Sequence, residues 1–398
     1  MSNDAFVPHP DRLLPADPAV REIARSLYEL EKDQPIVSPH GHVDPHLLLD
    51  DEPFRDPTSL FITPDHYVNR LMHARGVDLA DLGVAQGPLD EKASRRAWHL
   101  LAEHWHAYAG TPSRYWMEHE FSEVFGLETV LNPRTADAMY DEIADKLTRP
   151  EFRPRALFDQ FKIEVLATTD DPVDDLASHD ALAADEAFTG QVIPTFRPDK
   201  YLEPARADFR ELADALGEAA GVDTGTYDGH LEAMRRNHSD AMFEKFGADV
   251  GFDIPVAVDY VHHLRPMLND VGHAENFRTV LFTIDETVFS REIAPLAGVY
   301  PSVYAGAPWW FIDSPDAILR FRRAVSETLG YTRTSGFIDD TRAFCSIPAR
   351  HDMSRRIDAT HLAGLVAEHR MRLEDAVELV ATLPTQQPRE VFRLGESA

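Results

Sequence analysis

The stretch IVSPHGHVDPH, residues 36–46, joins a short apolar run to a His-x-His pair, His40 and His42. Ile36 and Val37 read as the end of a buried strand, and in an extended chain residues two apart point to the same side. Both imidazoles then converge beyond the strand's carboxyl end, where α/β folds carry their chemistry. Nineteen histidines among 398 residues also produce close pairs by chance. The pair by itself leaves a metal site and an accident equally open, so the surrounding sequence has to decide.

With 398 residues and 43% hydrophobic content, the chain can bury a large core, either as one elaborated α/β barrel or as two or three small domains. No run of 18 apolar residues occurs, and the first residues, MSNDAFVPHPDRLLP, lack the basic-then-apolar order of a signal peptide. A soluble, cytoplasmic protein is expected. Cys345 is the single cysteine, which excludes an intrachain disulfide and a thiolate-built zinc site. Any metal must be held by histidine and carboxylate. The formal charge of −29, from 68 acidic against 39 basic residues, repels phosphate backbones and anionic lipid, so neither nucleic acid nor membrane is an expected partner. Only 6 of the basic residues are lysine, against 33 arginines, a balance like that of proteins adapted to high salt.

Five further short apolar runs end in polar, chemically capable residues: IEVLATTDD (163–171), QVIPTFRPD (191–199), RTVLFTIDE (278–286), PSVYAGAPWWFID (301–313) and TSGFIDDTR (334–342). With the first run, they read as barrel strands whose carboxyl ends line a site, which makes a (β/α)₈ TIM-type barrel the expected fold. Residues 1–35 form an N-terminal segment, 36–394 the barrel domain and 395–398 a tail. A helical insertion after the first strand, at about 45–160, contains EKASRRAWHLLAEHWHAYAG (91–110), whose apolar spacing suits an amphipathic helix. Its histidines, His99, His104 and His106, read as helix-surface or packing residues. DATHLAGLVAEHRMRLEDAVELVATL (358–383) reads as two closing helices.

TSGFIDDTRAF ends the last expected strand in Asp339 and Asp340, with Arg342 close behind. A carboxylate there, facing a His pair at the end of the first strand, can complete a divalent-metal site and carry a proton. The bland alternative is that the two aspartates cap the following helix.

An ordered series of motifs now resembles the uronate isomerases, a branch of the metal-dependent amidohydrolase superfamily with a distorted (β/α)₈ barrel. They are HGH (40–42), DHYVNRLMHARGVD (65–78), ATTDDPVDDLASH (167–179), PTFRPDK (194–200), APWWFID (307–313) and DDTRAFCSIPARHDMSRR (339–356). The resemblance implies aldose–ketose isomerisation of D-glucuronate to D-fructuronate and/or D-galacturonate to D-tagaturonate. It implies one divalent ion, Zn²⁺ or a similar metal, on His40, His42 and Asp340, with Asp340 and Tyr67 moving protons. It places His66, Arg197, Trp309, Trp310 and Arg342 around the sugar acid; a homo-oligomer is left open. Arginine can grip the substrate carboxylate bidentately, while tryptophan and histidine can cover its hydroxyls. Trp309 and Trp310, if on a strand, would face opposite ways, one to the core and one to the substrate. Asp170 and Asp171 are expected to cap the helix after their strand and are left outside the site.

The family pattern has two more strands between the RPDK and LFTIDE regions, one ending in a Ser-Asp-His motif and one carrying a further metal-ligand histidine. Residues 205–276 read almost wholly as helices instead. HLEAMRRNHSDAMFEKFG (230–247) runs from one family segment into a later one, and DIPVAVDYVHH (253–263) offers one strand at most. The barrel is therefore expected to lack two central strands, with His230 and His238 the nearest candidates for the missing ligand. The alternative function is a non-catalytic or altered barrel relative that binds sugar acids.

Overall fold

The computed structural model describes residues 4–236 and 260–394, apart from residues 196, 198, 202, 205, 275 and 276. Five short parallel strands, spaced along the chain with helices between them, make this an α/β protein. They are β1 (Ile36–Ser38), β2 (Ile163–Ala167), β3 (Gln191–Ile193), β4 (Thr279–Leu281) and β5 (Val303–Ala305). β1 pairs with β2 and β2 with β3, with Val37 opposite Val165 and Leu166 opposite Val192. β4 pairs with β5, and Ala305 makes one further parallel bridge to Thr334. Pro39 follows β1 and has no N–H to donate. Pro194 follows β3 without ending the pairing: Thr195 N–H donates to Thr168 O (3.1 Å) and Asp170 N–H to Thr195 O (2.9 Å).

Among the described residues no ladder joins β3 to β4, and barrel closure there is not seen. The run 334–342 was expected as a strand, but it forms only the bridge at Thr334. Gly336 at φ 78° and Asp340 at φ 46° interrupt the extended conformation that a ladder needs. The segment still spans the gap between β5 and β1. It is tied to β5 through Ser335 N–H to Ala305 O (2.9 Å) and to the loop after β1 through His42 N–H to Thr341 O (2.9 Å).

Between β1 and β2 the chain is helical and includes His66–His73, Glu91–His104 and Ala136–Leu147. Its core is continuous with the sheet: Ile36, Ile163 and Leu166 belong to one buried cluster with Phe61, Trp98, Phe121 and Ile143. Trp98 is fully buried and donates to Ala136 O at 2.9 Å, joining two insertion helices. His99 meets Asp137, His104 the Leu100 carbonyl and His106 the Glu103 carbonyl.

Helices also fill the described part of 205–276, at Phe209–Ala220, Tyr227–Arg235 and Tyr260–Val271. The YVHH end of DIPVAVDYVHH opens the last of these; its earlier residues, and His238, lie outside the described residues. No helix among the described residues is long and apolar enough to cross a membrane.

The N-terminal segment is built into the fold. Asp17 caps the helix Pro18–Glu31 by accepting from Ala19 and Val20 N–H, and Pro18 occupies its first turn. Ala24, Leu27 and Tyr28 pack on Ala359, Leu362 and Ala363 of the long helix Ile347–Ala367. From that helix, buried Arg355 donates to the carbonyls of Lys32 (2.9 Å), Gln34 (3.0 Å) and Pro35 (2.9 Å), fixing the chain just before β1.

Candidate metal centre

β1 ends at Ser38, so His40 and His42 stand in the loop beyond it and not on one strand face as expected. Backbone straps make them converge. His42 N–H donates to Thr341 O, Asp340 N–H to His40 O (3.3 Å), and Thr169 Oγ1 to Gly41 O (2.6 Å). Gly41 allows this closeness: a Cβ built there would lie 3.3 Å from Ala167 O and 3.5 Å from Asp339 Oδ1.

Asp340 Oδ1 lies 2.9 Å from His42 Nε2 and 3.4 Å from His40 Nε2. One ligand atom from each of the three residues falls within 4.8 Å of the others. Burial pushes Asp340 towards its neutral form, but hydrogen bonds from His40 and His42 outweigh it and hold the carboxyl far below its ordinary range. Burial also lowers His42, against the pull of Asp340 and with help from the His40 and Arg197 charges. The result is an ionised carboxylate facing two imidazoles, of which His42 is biased towards neutrality, a donor set that fits zinc and similar divalent ions and leaves coordination positions open.

Arg197 acts electrostatically on His42, and Asp340 and Arg342 act on His66. Burial lowers His66, whose balance also includes the charges of Arg342 and Asp340. Arg342 is exposed, and Arg197 is partly buried with its N–H on Asp170 O at 3.2 Å. Trp309 and Trp310 are not on a strand; they follow β5 in a turn where Trp310 (φ 20°) and Phe311 (φ 68°) are both left-handed. Trp310 is 39% exposed and Phe311 45%, while Trp309 is half-buried. Trp310 Nε1–H donates to His66 Nε2 at 3.0 Å.

Tyr67 is buried next to His66, and its hydroxyl is already engaged. It donates to Asp313 Oδ1 (3.0 Å) and accepts from Phe311 N–H (2.9 Å). Burial first, then the Asp313 charge, pushes its phenol well above the ordinary value.

Asp313 in turn meets the fully buried guanidinium of Arg350 at 3.0 Å. Burial lifts Asp313 to about 6 against the opposing charge of Arg350, so the two are an ion pair at neutral pH. Sequence reasoning quoted both residues inside motifs and gave neither a role, because nothing in residue order signals a buried charge.

Asp170 and Asp171 do not cap the following helix, Ala177–Ala184, whose cap position is Leu176 with no side-chain bond. Asp170 accepts from Thr168 Oγ1 (2.6 Å) and Thr195 N–H (3.2 Å), and burial raises it to about 6. Asp171 accepts from Tyr201 and pairs with Lys200. Both line a cavity of about 580 Å³ beside His42, together with Asp44, Thr169 and Ser178. His230 does not join the cluster; its Nε2–H donates to Tyr201 O at 2.9 Å.

The glucuronate isomerase family matches residues 18–238 and 228–392. The chain belongs to the uronate isomerase family. Among its relatives, the uronate isomerase of Cutibacterium acnes is 45% identical over 471 positions, covering 99% of this chain and 100% of that protein. The uronate isomerase of Corynebacterium efficiens is also 45% identical, covering 97% and 98%. The crystal structure of glucuronate isomerase from Caulobacter crescentus superposes with a TM-score of 0.90 at 36% identity over 98% of each chain. That of the uronate isomerase from Thermotoga maritima gives 0.83 at 25% identity, over 97% of this chain and 100% of that one.

The family match runs in two parts. These meet at residues 228–238, inside the region where the sequence departs from the pattern. An alignment of 471 positions against a chain of 398 residues leaves at least 73 positions of the Cutibacterium relative without a counterpart.

Proposed function

We propose that the chain isomerises hexuronates, D-glucuronate to D-fructuronate and/or D-galacturonate to D-tagaturonate, as a cytoplasmic catabolic enzyme. The observation that carries this reading is the convergence of His40, His42 and Asp340, drawn from opposite ends of a uronate isomerase family chain onto one point.

These three residues would hold one divalent ion, with Zn²⁺ the natural fit to two imidazoles and a carboxylate. When bound, the ion supplies Lewis-acid polarisation of the sugar oxygens. Arg342 and Arg197 bind the substrate carboxylate, and His66, Trp309 and Trp310 cover the sugar. The aldose-to-ketose change moves a proton from C2 to C1 and one from the C2 hydroxyl to the C1 oxygen, which requires a base and an acid in reach. Asp340, kept ionised by its two histidines, takes and returns the proton. Tyr67 assists ring opening by exchanging its hydrogen bond to Asp313 for one to the ring oxygen.

The test is incubation of zinc-loaded protein with D-glucuronate and with D-galacturonate, following ketose formation by NMR. The reading expects turnover of at least one of them and its loss by about 10²-fold or more in Asp340→Asn. No ketose above the protein-free blank from either sugar overturns it.

A further inference from the structure

The buried pair Arg350–Asp313 neither binds substrate nor carries a proton in the reaction just described, yet it touches both halves of the site. The Arg350 side chain is 1% exposed and that of Asp313 2%. Arg350 Nη1 donates to Asp313 Oδ2 (3.0 Å) and to the Asp339 carbonyl (3.2 Å), and Nε donates to Ser346 Oγ (3.1 Å). Its guanidinium lies 3.7 Å from the Trp116 ring centroid and 4.9 Å from that of Tyr67. A charge so deeply buried is costly unless its position matters or its partners compensate fully.

Each end of this arrangement meets backbone in an unfavourable conformation. The Asp339 carbonyl belongs to the peptide that begins Asp340, and the N–H of that same peptide donates to His40 O. Both faces of one peptide plane are therefore pinned, and the residue it leads into sits at φ 46° with its carboxylate on the two histidines. At the other end, Asp313 accepts from Tyr67, and Tyr67 accepts from the N–H of Phe311, which sits at φ 68° beside Trp310 at φ 20°. Left-handed non-glycine residues persist where surrounding contacts over-determine them. An unbroken chain of hydrogen bonds runs from the Phe311 N–H through Tyr67, Asp313 and Arg350 to the Asp339 carbonyl.

We propose that Arg350 and Asp313 are positioning residues that set the metal-ligand segment at Asp340 and the aromatic turn at Trp310–Phe311 in fixed relation. The inference rests on the metal-centre reading above. Neither residue contacts the substrate; they act through Asp340 and through Tyr67. Lysine at 350 keeps the charge but cannot reproduce the planar fork that serves Asp313, Asp339 and Ser346 together.

The experiment compares wild type, Arg350→Lys and the double variant Arg350→Met/Asp313→Leu, which removes both buried charges and refills the space so that folding survives loss of the pair. Zinc affinity is measured by titration against a competing chelator, kcat and KM are measured with hexuronate at saturating zinc, and circular dichroism confirms the fold. Both variants are expected to bind zinc about tenfold or more weakly, with kcat reduced by a similar factor and KM changed less. A purely structural pair would lower the melting temperature while the folded protein kept wild-type zinc affinity and kcat, and that result in either variant overturns the proposal. If the wild type isomerises no hexuronate, the functional reading falls, and the zinc titration still decides the positioning role.

Discussion

Gly41 lies between the two metal-site histidines, and its replacement by alanine probes how little slack the site has. The new Cβ would stand 3.3 Å from the Ala167 carbonyl oxygen, 3.5 Å from Asp339 Oδ1 and 3.7 Å from Thr341 O. Two of these three neighbours are backbone, and the loop is strapped by His42 N–H, by Gly41 O and through His40 O, so relief must come as a shift of a few tenths of an ångström in the ligands themselves. Overpacking of this kind costs about 1–3 kcal/mol, and the lost glycine entropy in the unfolded chain returns about 0.4–1 kcal/mol. A net loss near 1 kcal/mol is expected. Because designed and natural metal sites tolerate ligand errors of only about 0.2 Å, zinc binding should weaken by about tenfold. Chelator-competition titration at neutral pH measures the affinity, and urea unfolding measures the stability. Gly364→Ala is the control: it lies in the helix Ile347–Ala367 with nothing within 4 Å of a built Cβ, and should gain about 0.5–1 kcal/mol. If Gly41→Ala keeps wild-type zinc affinity and stability, the loop yields freely and the strap argument is wrong.

Arg342→Lys should weaken hexuronate binding by about 1–3 kcal/mol, since an ammonium cannot present the bidentate fork; unchanged affinity in calorimetry would remove Arg342 from the site. His361, lowered to about 4 by burial and then by the Arg322 charge, is neutral in the fold at pH 7. Its unfolded form takes up a proton below about pH 6.5, so its stabilising contribution is complete above that pH and drains away as pH falls towards 4. The stability advantage of wild type over His361→Gln in urea should therefore shrink between pH 7 and pH 4.5, and an advantage that grows there contradicts the assignment. The net charge of −29 predicts a melting midpoint that rises between low and molar potassium chloride through screening of self-repulsion; a midpoint that holds or falls removes support for salt adaptation.

The convergence of His40, His42 and Asp340 was legible because chemistry confines metal ligation to few residue types, and only histidine and carboxylate remained available for a candidate site. How they meet was not legible. The strand-face argument needed β1 to continue past Ser38, and Pro39 stops it; the convergence comes from bonds to Thr341 and Thr169, residues far away in sequence. The strand runs at 163, 191, 278 and 301 were found, since β-branched clusters followed by polar ends mark buried parallel strands. The run at 334 failed because Gly336 and Asp340 adopt positive φ, and only Gly336 is a residue type that advertises it. The long helix Ile347–Ala367 hid the most. Arg350, His351, Arg355, Arg356 and Asp358 are all buried within it, so the usual division into an apolar and a polar face is absent. Arg356 pairs within the helix with Asp352, but Arg350, His351, Arg355 and Asp358 find their partners through tertiary contact, and composition carries no trace of that.

The strap between the loop after β1 and the Asp340 segment also has a consequence for synthesis. Translation proceeds at about 5–20 residues per second, so roughly 15–60 s separate the emergence of His42 from that of Asp340. Throughout that interval the nascent chain carries an imidazole pair with no carboxylate opposite, and β1 waits for the arginine that will grip the carbonyls before it. An ion held by all three residues could be taken up only after the segments around His42 and Asp340 have met, so its capture would report that this long-range contact has formed.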